Sequence, residues 1–244
     1  MRRLAFFAFL LALLAVAGAV AAGLGNRFEI WPLRAAFTLL RWSAYGGISA
    51  AVLSLVCAVW ILRQKPYGGL FPALAGLVLG AAVVAMPYSY LRSARSVPPI
   101  HDISTDLDQP PGFVDILTVR AGAPNTADYG GEDIARQQRQ AYADIGPAIL
   151  DLPPVEAFDQ ALAAAQDLDW QIVAAVPEEG RIEATDRTFW FGFKDDVVVR
   201  IRGADGGSRV DVRSVSRVGR SDVGTNAQRV RRFLDRVKNR SGES

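Results

Sequence analysis

Three stretches of this chain carry no charged side chain over 21 residues each: Leu4–Leu24, Trp42–Leu62 and Leu70–Tyr90. A helix rises about 1.5 Å per residue, so each can cross a hydrocarbon core about 30 Å thick. Three such runs before residue 91 read as membrane spans rather than as soluble core. Trp42, Tyr45, Trp60, Tyr67, Tyr88 and Tyr90 fall near their ends, where amphipathic rings suit the lipid–water interface. No Asp, Glu, Lys, Arg or His lies inside a span. Proton relays and ion pathways need such groups, so the spans read as an anchor and not as a transporter or channel.

The spans also suggest how they meet. Gly46, Ala50, Ser54 and Ala58 form one small-residue ridge on the second, and Gly76 and Gly80 make a GxxxG in the third. Small residues let backbones approach closely where lipid removes any hydrophobic drive to associate. Arg2, Arg3, the apolar run and Ala19-Val20-Ala21 also fit a cleavable signal peptide, but a run of this length suits an uncleaved anchor better. Either way, placing Arg2 and Arg3 in the cytoplasm puts the C-terminal domain outside it, and Arg63 and Lys65 then obey the positive-inside preference. Arg27, Arg34, Arg41, Arg92 and Arg95 run against it. The expected location is the bacterial inner membrane, with the C-terminal domain in the periplasm.

Beyond Leu91 the chain has a soluble composition. Up to that point seven basic residues face a single acid, Glu29; after it, 20 basic residues face 24 acidic ones. Residues 92–180 hold 15 acidic and 5 basic side chains, whereas 181–240 hold 15 basic and 8 acidic. Such blocks either complement each other internally or present a basic face to an anionic partner. Cys57 and His101 are the only residues of their types, so one chain offers no disulfide and no site needing two histidines.

Residues 92–99 read as a linker ending in Val97-Pro98-Pro99, ahead of a domain over 100–240. The Asp-, Pro- and Gly-rich stretch from His101 to Asp151 suggests a strand at Phe113–Val119 and a short helix over Glu132–Tyr142. Pro154–Leu168 follows helical periodicity, with Phe158, Ala161, Leu162, Ala165 and Leu168 on one face. Trp170–Val176 and Arg181–Thr188 read as one hairpin, and Val197–Arg202 and Arg209–Ser216 as a second. Thr225–Lys238 is a final helix that turns Ala227, Val230, Phe233, Leu234 and Val237 inward and a basic face outward. The fold class is therefore a three-span α-helical membrane region followed by an α+β domain, with an antiparallel sheet and helices on one face. Phe189, Trp190, Phe191 and Phe193 read as core or membrane-facing aromatics, core being the first reading.

Period two places Val197, Val199, Ile201, Val210 and Val212 on one sheet face. Arg200, Arg202, Asp211, Arg213 and Arg217 lie on the other, with Glu183 and Arg187 beside them. That second face is either an open, solvated surface held by cross-strand ion pairs or an arginine platform for an anionic group. Arg220, Ser221 and Asn226 at the start of the last helix extend the platform, because unpaired helix N–H groups attract anions; Asp222 or Thr225 could equally cap that helix.

The runs Ala184-Thr185-Asp186-Arg187-Thr188-Phe189-Trp190-Phe191-Gly192-Phe193, Asp195–Arg202 and Ser214–Asn226, with Pro98–Asp106 upstream, carry a resemblance. Over residues 98–238 the chain resembles the bacterial and plastid domain-of-unknown-function family fourteen-ninety-nine. It departs at Ala143, where the family pattern implies proline. The resemblance implies no activity, so it assigns no catalytic residue. The order of helices and strands is also similar to helix-grip domains of envelope lipoproteins, an analogy of fold alone.

His101, Asp102, Ser104, Asp106 and Asp108 crowd one loop. They allow a hydrolase reading through Ser104 and His101, a divalent-cation reading through the aspartates, or a plain turn whose side chains cap local backbone. No P-loop, no GxGxxG opening a helix after a strand and no HExxH is present. Two expectations follow: a non-enzymatic envelope module that binds a protein partner or an anionic lipid headgroup, or an envelope enzyme that uses residues 101–108. The enzyme would be hydrolase-like or, through the aspartates, metal-dependent; no cofactor and no nucleic-acid partner is expected.

Overall fold

The computed structural model describes residues 1–64 and 67–242. The chain divides into two compact units, the first made of Met1–Arg92 together with Phe189–Gly192. Its helices are α1 (Arg2–Arg27), α2 (Leu33–Leu62) and α3 (Leu70–Ser96), each long and apolar enough to cross a membrane. They outrun the charge-free cores. Helix α2 starts at Leu33, nine residues before Trp42, and α3 continues past Tyr90 to Ser96. The expected linker is thus mostly helix, which stops where Pro98 disfavours a helical Val97. Lys65, counted above in the loop between spans, lies outside the described residues.

In lipid, side-chain size rather than polarity decides which face packs. Helix α1 buries Ala5, Ala8, Ala12, Ala15, Ala19 and Ala22, a three-and-four spacing that makes one seam, while Phe6, Phe7, Leu10 and Leu14 point outward. Ala50, Ser54 and Ala58 of the expected ridge are buried in α2, but Gly47 rather than Gly46 makes the close approach. A Cβ on Gly80 would come within 2.6 Å of the Gly47 carbonyl oxygen, and one on Gly76 would meet Ser54 Oγ.

Phe189–Gly192 complete this unit, which corrects their placement in the soluble core. Asn26 Nδ2 donates to the Phe191 carbonyl at 2.7 Å, and the Phe37 and Phe191 rings stack with centroids 5.5 Å apart. Trp190 packs with Ala15, Ala19 and Val83. Gly192 takes φ +67°, and a Cβ there would meet the Arg27 backbone at 2.9 Å, so two constraints select glycine.

The second unit contains β1 (Asp102–Ser104), α4 (Ile116–Val119), α5 (Glu132–Ala141), β2 (Ala148–Leu150), α6 (Pro154–Asp167), β3 (Gln171–Val176), β4 (Arg181–Arg187), β5 (Lys194–Ala204), β6 (Gly207–Ser216) and α7 (Thr225–Ser241). The sheet is antiparallel, in the order β1-β6-β5-β4-β3, with β2 pairing further along β6. Val197, Val199, Ile201, Val210 and Val212 share a core with Phe158, Ala161, Val230, Phe233 and Val237 of α6 and α7, so both long helices pack on the predicted apolar face.

Two short strands, β1 and β2, had no signature in the sequence. Gln138 of α5 completes β1: its side-chain amide accepts from Ser104 N at 3.0 Å and donates to Ser104 O at 2.6 Å, standing in for a strand neighbour. The strand expected at Phe113–Val119 is absent. Glu183 accepts from the backbone N–H groups of Val114 and Ile116, both at 2.8 Å, and the chain turns into the single-turn helix α4.

Candidate functional site

The sheet face opposite α6 and α7 is not the open surface of the first expectation. Phe113 and Ile116 pack on Val198 and Val215, so the Asp- and Pro-rich segment lies over it. Beneath that cover, guanidinium and carboxylate groups interlock. Arg213 makes a two-pronged pair with Asp102, Nε to Oδ1 at 2.9 Å and Nη2 to Oδ2 at 2.7 Å, and also donates to the carbonyls of Pro111 and Ala127. Asp196 is fully buried. It accepts from Arg120 at 2.9 Å, from Arg217 at 2.8 and 2.9 Å, and from Thr185 at 2.8 Å. Arg200 reaches Asp106 at 2.9 Å and Asp211 at 3.0 Å, and Arg181 holds Glu183 at 2.6 Å. Charges taken from water need such partners on nearly every lone pair and proton.

Of the seven residues expected to bind an anion, Arg200, Arg213 and Arg217 therefore have carboxylate partners within the domain. Arg202 and Arg220 are exposed, and neither guanidinium has a partner among the described residues. Ser221 Oγ accepts from Val223 N at 3.1 Å. Asn226 is buried and donates through Nδ2 to His101 O and Ser216 Oγ, both at 2.9 Å. The N-terminus of α7 already faces a carboxylate: Asp222 accepts from Gly224 N at 2.9 Å and Asn226 N at 2.6 Å. Burial pushes the Asp222 carboxyl up, against those two N–H bonds, and the Asp195 carboxylate adds to the rise.

A second charged cluster escaped the sequence reading. Arg229, expected on the basic outer face of α7, is only 2% exposed. It donates to Asp186 at 2.7 Å and Asp195 at 2.6 Å, residues directly opposed across β4 and β5, and also to Ser214 Oγ and Asn226 Oδ1. One guanidinium thus separates two facing acids. The available signal was spacing: Arg229 stands three residues after Asn226 and four before Phe233, on the buried stripe of the helix.

The 101–108 loop is committed to structure in the same way. Ser104 Oγ donates to Asp106 O at 2.8 Å, Asp102 pairs with Arg213, and Asp106 Oδ1 accepts from Asp108 N and Gln109 N. Burial opposes ionisation of Asp106, but those N–H groups with Arg209 and Arg200 outweigh it and hold the carboxyl below its usual value. The His101 ring lies 3.4 Å from the Arg220 carbonyl, while the Ser104 hydroxyl is bonded to Asp106. Among the described residues no group of three or more His, Cys, Asp or Glu is arranged to hold a metal ion. Tyr129, over whose ring the Arg213 guanidinium lies, is pushed up to about 12 by burial and the Asp102 charge.

The free sheet edge lies elsewhere. Strand β3 ends the strand order and, among the described residues, pairs only with β4. Its sequence, Gln171-Ile172-Val173-Ala174-Ala175-Val176, carries no charge and no proline, and Gln171, Val173 and Ala175 are exposed. A register shift between Ile172 and Ala174 is its one irregularity.

Fold and site together define a class: a chain with three candidate membrane helices that carries an α+β domain whose buried arginines are paired with carboxylates of the same domain. Residues 102–237 match a family model described as protein of unknown function (DUF1499), more than half of the chain, and the chain belongs to that family. No curated protein matches it.

Proposed function

We propose that this chain is a non-enzymatic, membrane-anchored module of the bacterial cell envelope, and that its domain, on the periplasmic side of the inner membrane, binds an extended segment of a protein partner along β3. The observation that carries this reading is the β3 edge. An unpaired strand offers a row of N–H and C=O groups to another chain, and edges are usually blunted by lysine, proline or a bulge. Here only the shift at Ile172/Ala174 interrupts a charge-free edge. The uncharged spans support an anchoring role, and Arg2, Arg3 and Arg63 support the placement. Internal pairing of Arg200, Arg213 and Arg217 weighs against a phosphate-type ligand on the sheet. What remains of an anion reading is the pair of exposed guanidiniums at Arg202 and Arg220.

A photo-crosslinking residue at Val173 in the full chain, expressed in cells lacking the native gene, tests the edge. The expected result is one discrete protein adduct that Ala175→Lys abolishes, together with loss of complementation at unchanged protein level. Full complementation by Ala175→Lys with no adduct at Val173 would refute edge pairing. A reporter fused after Ser244 tests the compartment, and activity confined to the cytoplasm would overturn the placement.

A further inference from the structure

The aromatic tetrapeptide between β4 and β5 belongs to the helical unit, yet its residues divide sharply in what surrounds them. Trp190 and Phe191 are packed: a Cβ on Gly23 would overlap the Trp190 indole, and Phe191 is buried against Phe37. Phe189 is 89% exposed, and the Arg27 guanidinium, 5.9 Å from the ring centroid, lies over it. Arg27 Nη1 also donates to the Phe189 carbonyl at 2.7 Å, which fixes the backbone from which the ring projects.

Position along α1 gives the exposed ring a meaning. The span assigned to Leu4–Leu24 is followed by Gly25 and polar Asn26, and Arg27 stands three residues beyond Leu24, about 4.5 Å along the helix axis. The headgroup layer on each side of the hydrocarbon is about 5–8 Å deep, so Arg27 and the ring it covers lie at that depth. Phe28 and Ile30, in the turn that follows, are likewise well exposed. Exposed phenylalanine and isoleucine side chains beside a cationic one fit the interfacial pattern in which apolar groups dip into the headgroup–acyl boundary while the cation stays with the headgroups.

We propose that Phe189 is an interfacial membrane anchor: its ring seats among lipid headgroups and upper acyl chains of the bilayer that α1–α3 cross. This binding element lies in the β4–β5 connection, more than ninety residues after the last span. Its ligand class is the phospholipid surface itself, and the proposal does not depend on the partner assigned to β3.

Two measurements on the full chain in nanodiscs test it. In a Cys57→Ala background, an environment-sensitive fluorophore is placed on Phe189→Cys, with Asp205→Cys on the exposed β5–β6 turn as reference. Emission from position 189 should be quenched several-fold more by nitroxide-bearing phospholipid than emission from 205, and several-fold less by aqueous iodide. Equal iodide quenching at both positions with no lipid quenching at 189 would overturn the anchor. The unsubstituted protein gives the second measurement: diazirine-acyl phospholipid should label a peptide containing Phe189, whereas labelling confined to α1–α3 would contradict the proposal.

Discussion

The helical unit and the buried sheet face solve opposite solvation problems. In the first, no charge lies in the spans, and close approach comes from absent atoms: the α1 alanine seam and the Gly47–Gly80 contact. In the second, full charges leave water and are held only because each meets a counter-charge, as Asp196 meets Arg120 and Arg217. The lesson is that tolerance differs by kind. Added volume should harm the helices, and a removed charge should harm the domain.

The largest effect is expected from Arg229→Ala. It leaves Asp195 and Asp186 facing each other without a cation, and breaking such a buried pair costs about 3–5 kcal/mol. Thermal unfolding of the detergent-solubilised full chain, followed by domain circular dichroism, should show it; a loss no larger than that of an exposed arginine would break the comparison. Gly80→Val should come next. Its side chain must fit against the Gly47 carbonyl, and overpacking of this sort costs about 1–3 kcal/mol. The check is loss of helical-unit stability in detergent with unchanged unfolding of the domain.

A pH series sharpens the charge side, because two acids shift in opposite directions. Asp106 is held low, so it contributes stability above the unfolded carboxyl value and loses it as pH falls through the folded value. Asp222 is held high, so its ionisation lowers stability as pH rises from the unfolded value through the folded one. With rising pH, the stability difference from the parent should move against Asp106→Asn and in favour of Asp222→Asn. Parallel trends would show that one environment is misread. The smallest effect belongs to Arg240→Ala, which removes a partly exposed pair with Asp167, and should stay within about 1 kcal/mol.

Much of the fold is legible in the sequence because periodicity reports solvation. Val197, Val199 and Ile201 alternate with Asp196, Arg200 and Arg202, with Val198 the one apolar residue on the opposite face, and Val230, Phe233 and Val237 recur at helical spacing, so β5 and α7 could be placed together with their faces. The α1 seam was missed because every residue there is apolar: the pattern is alanine against leucine and phenylalanine, a contrast of size. Strands β1 and β2, three residues each, are too short to show a period, and β1 is completed by a glutamine 34 residues away. Arg200, Arg213 and Arg217 were visible, but not the carboxylates that pair with them. Asp102 pairs with Arg213 across 111 residues, and Arg120 with Asp196 across 76. Phe189–Gly192 looked like core because composition cannot say which solvent a ring meets.

Lipid as the solvent of α1–α3 underlies the anchor, the aromatic tip and the reading of the alanine seam. Washing membranes from cells expressing the full chain in alkaline carbonate tests it most directly. The protein is predicted to remain wholly in the membrane pellet and to enter solution only with detergent. Recovery of the intact chain in the carbonate supernatant would contradict it.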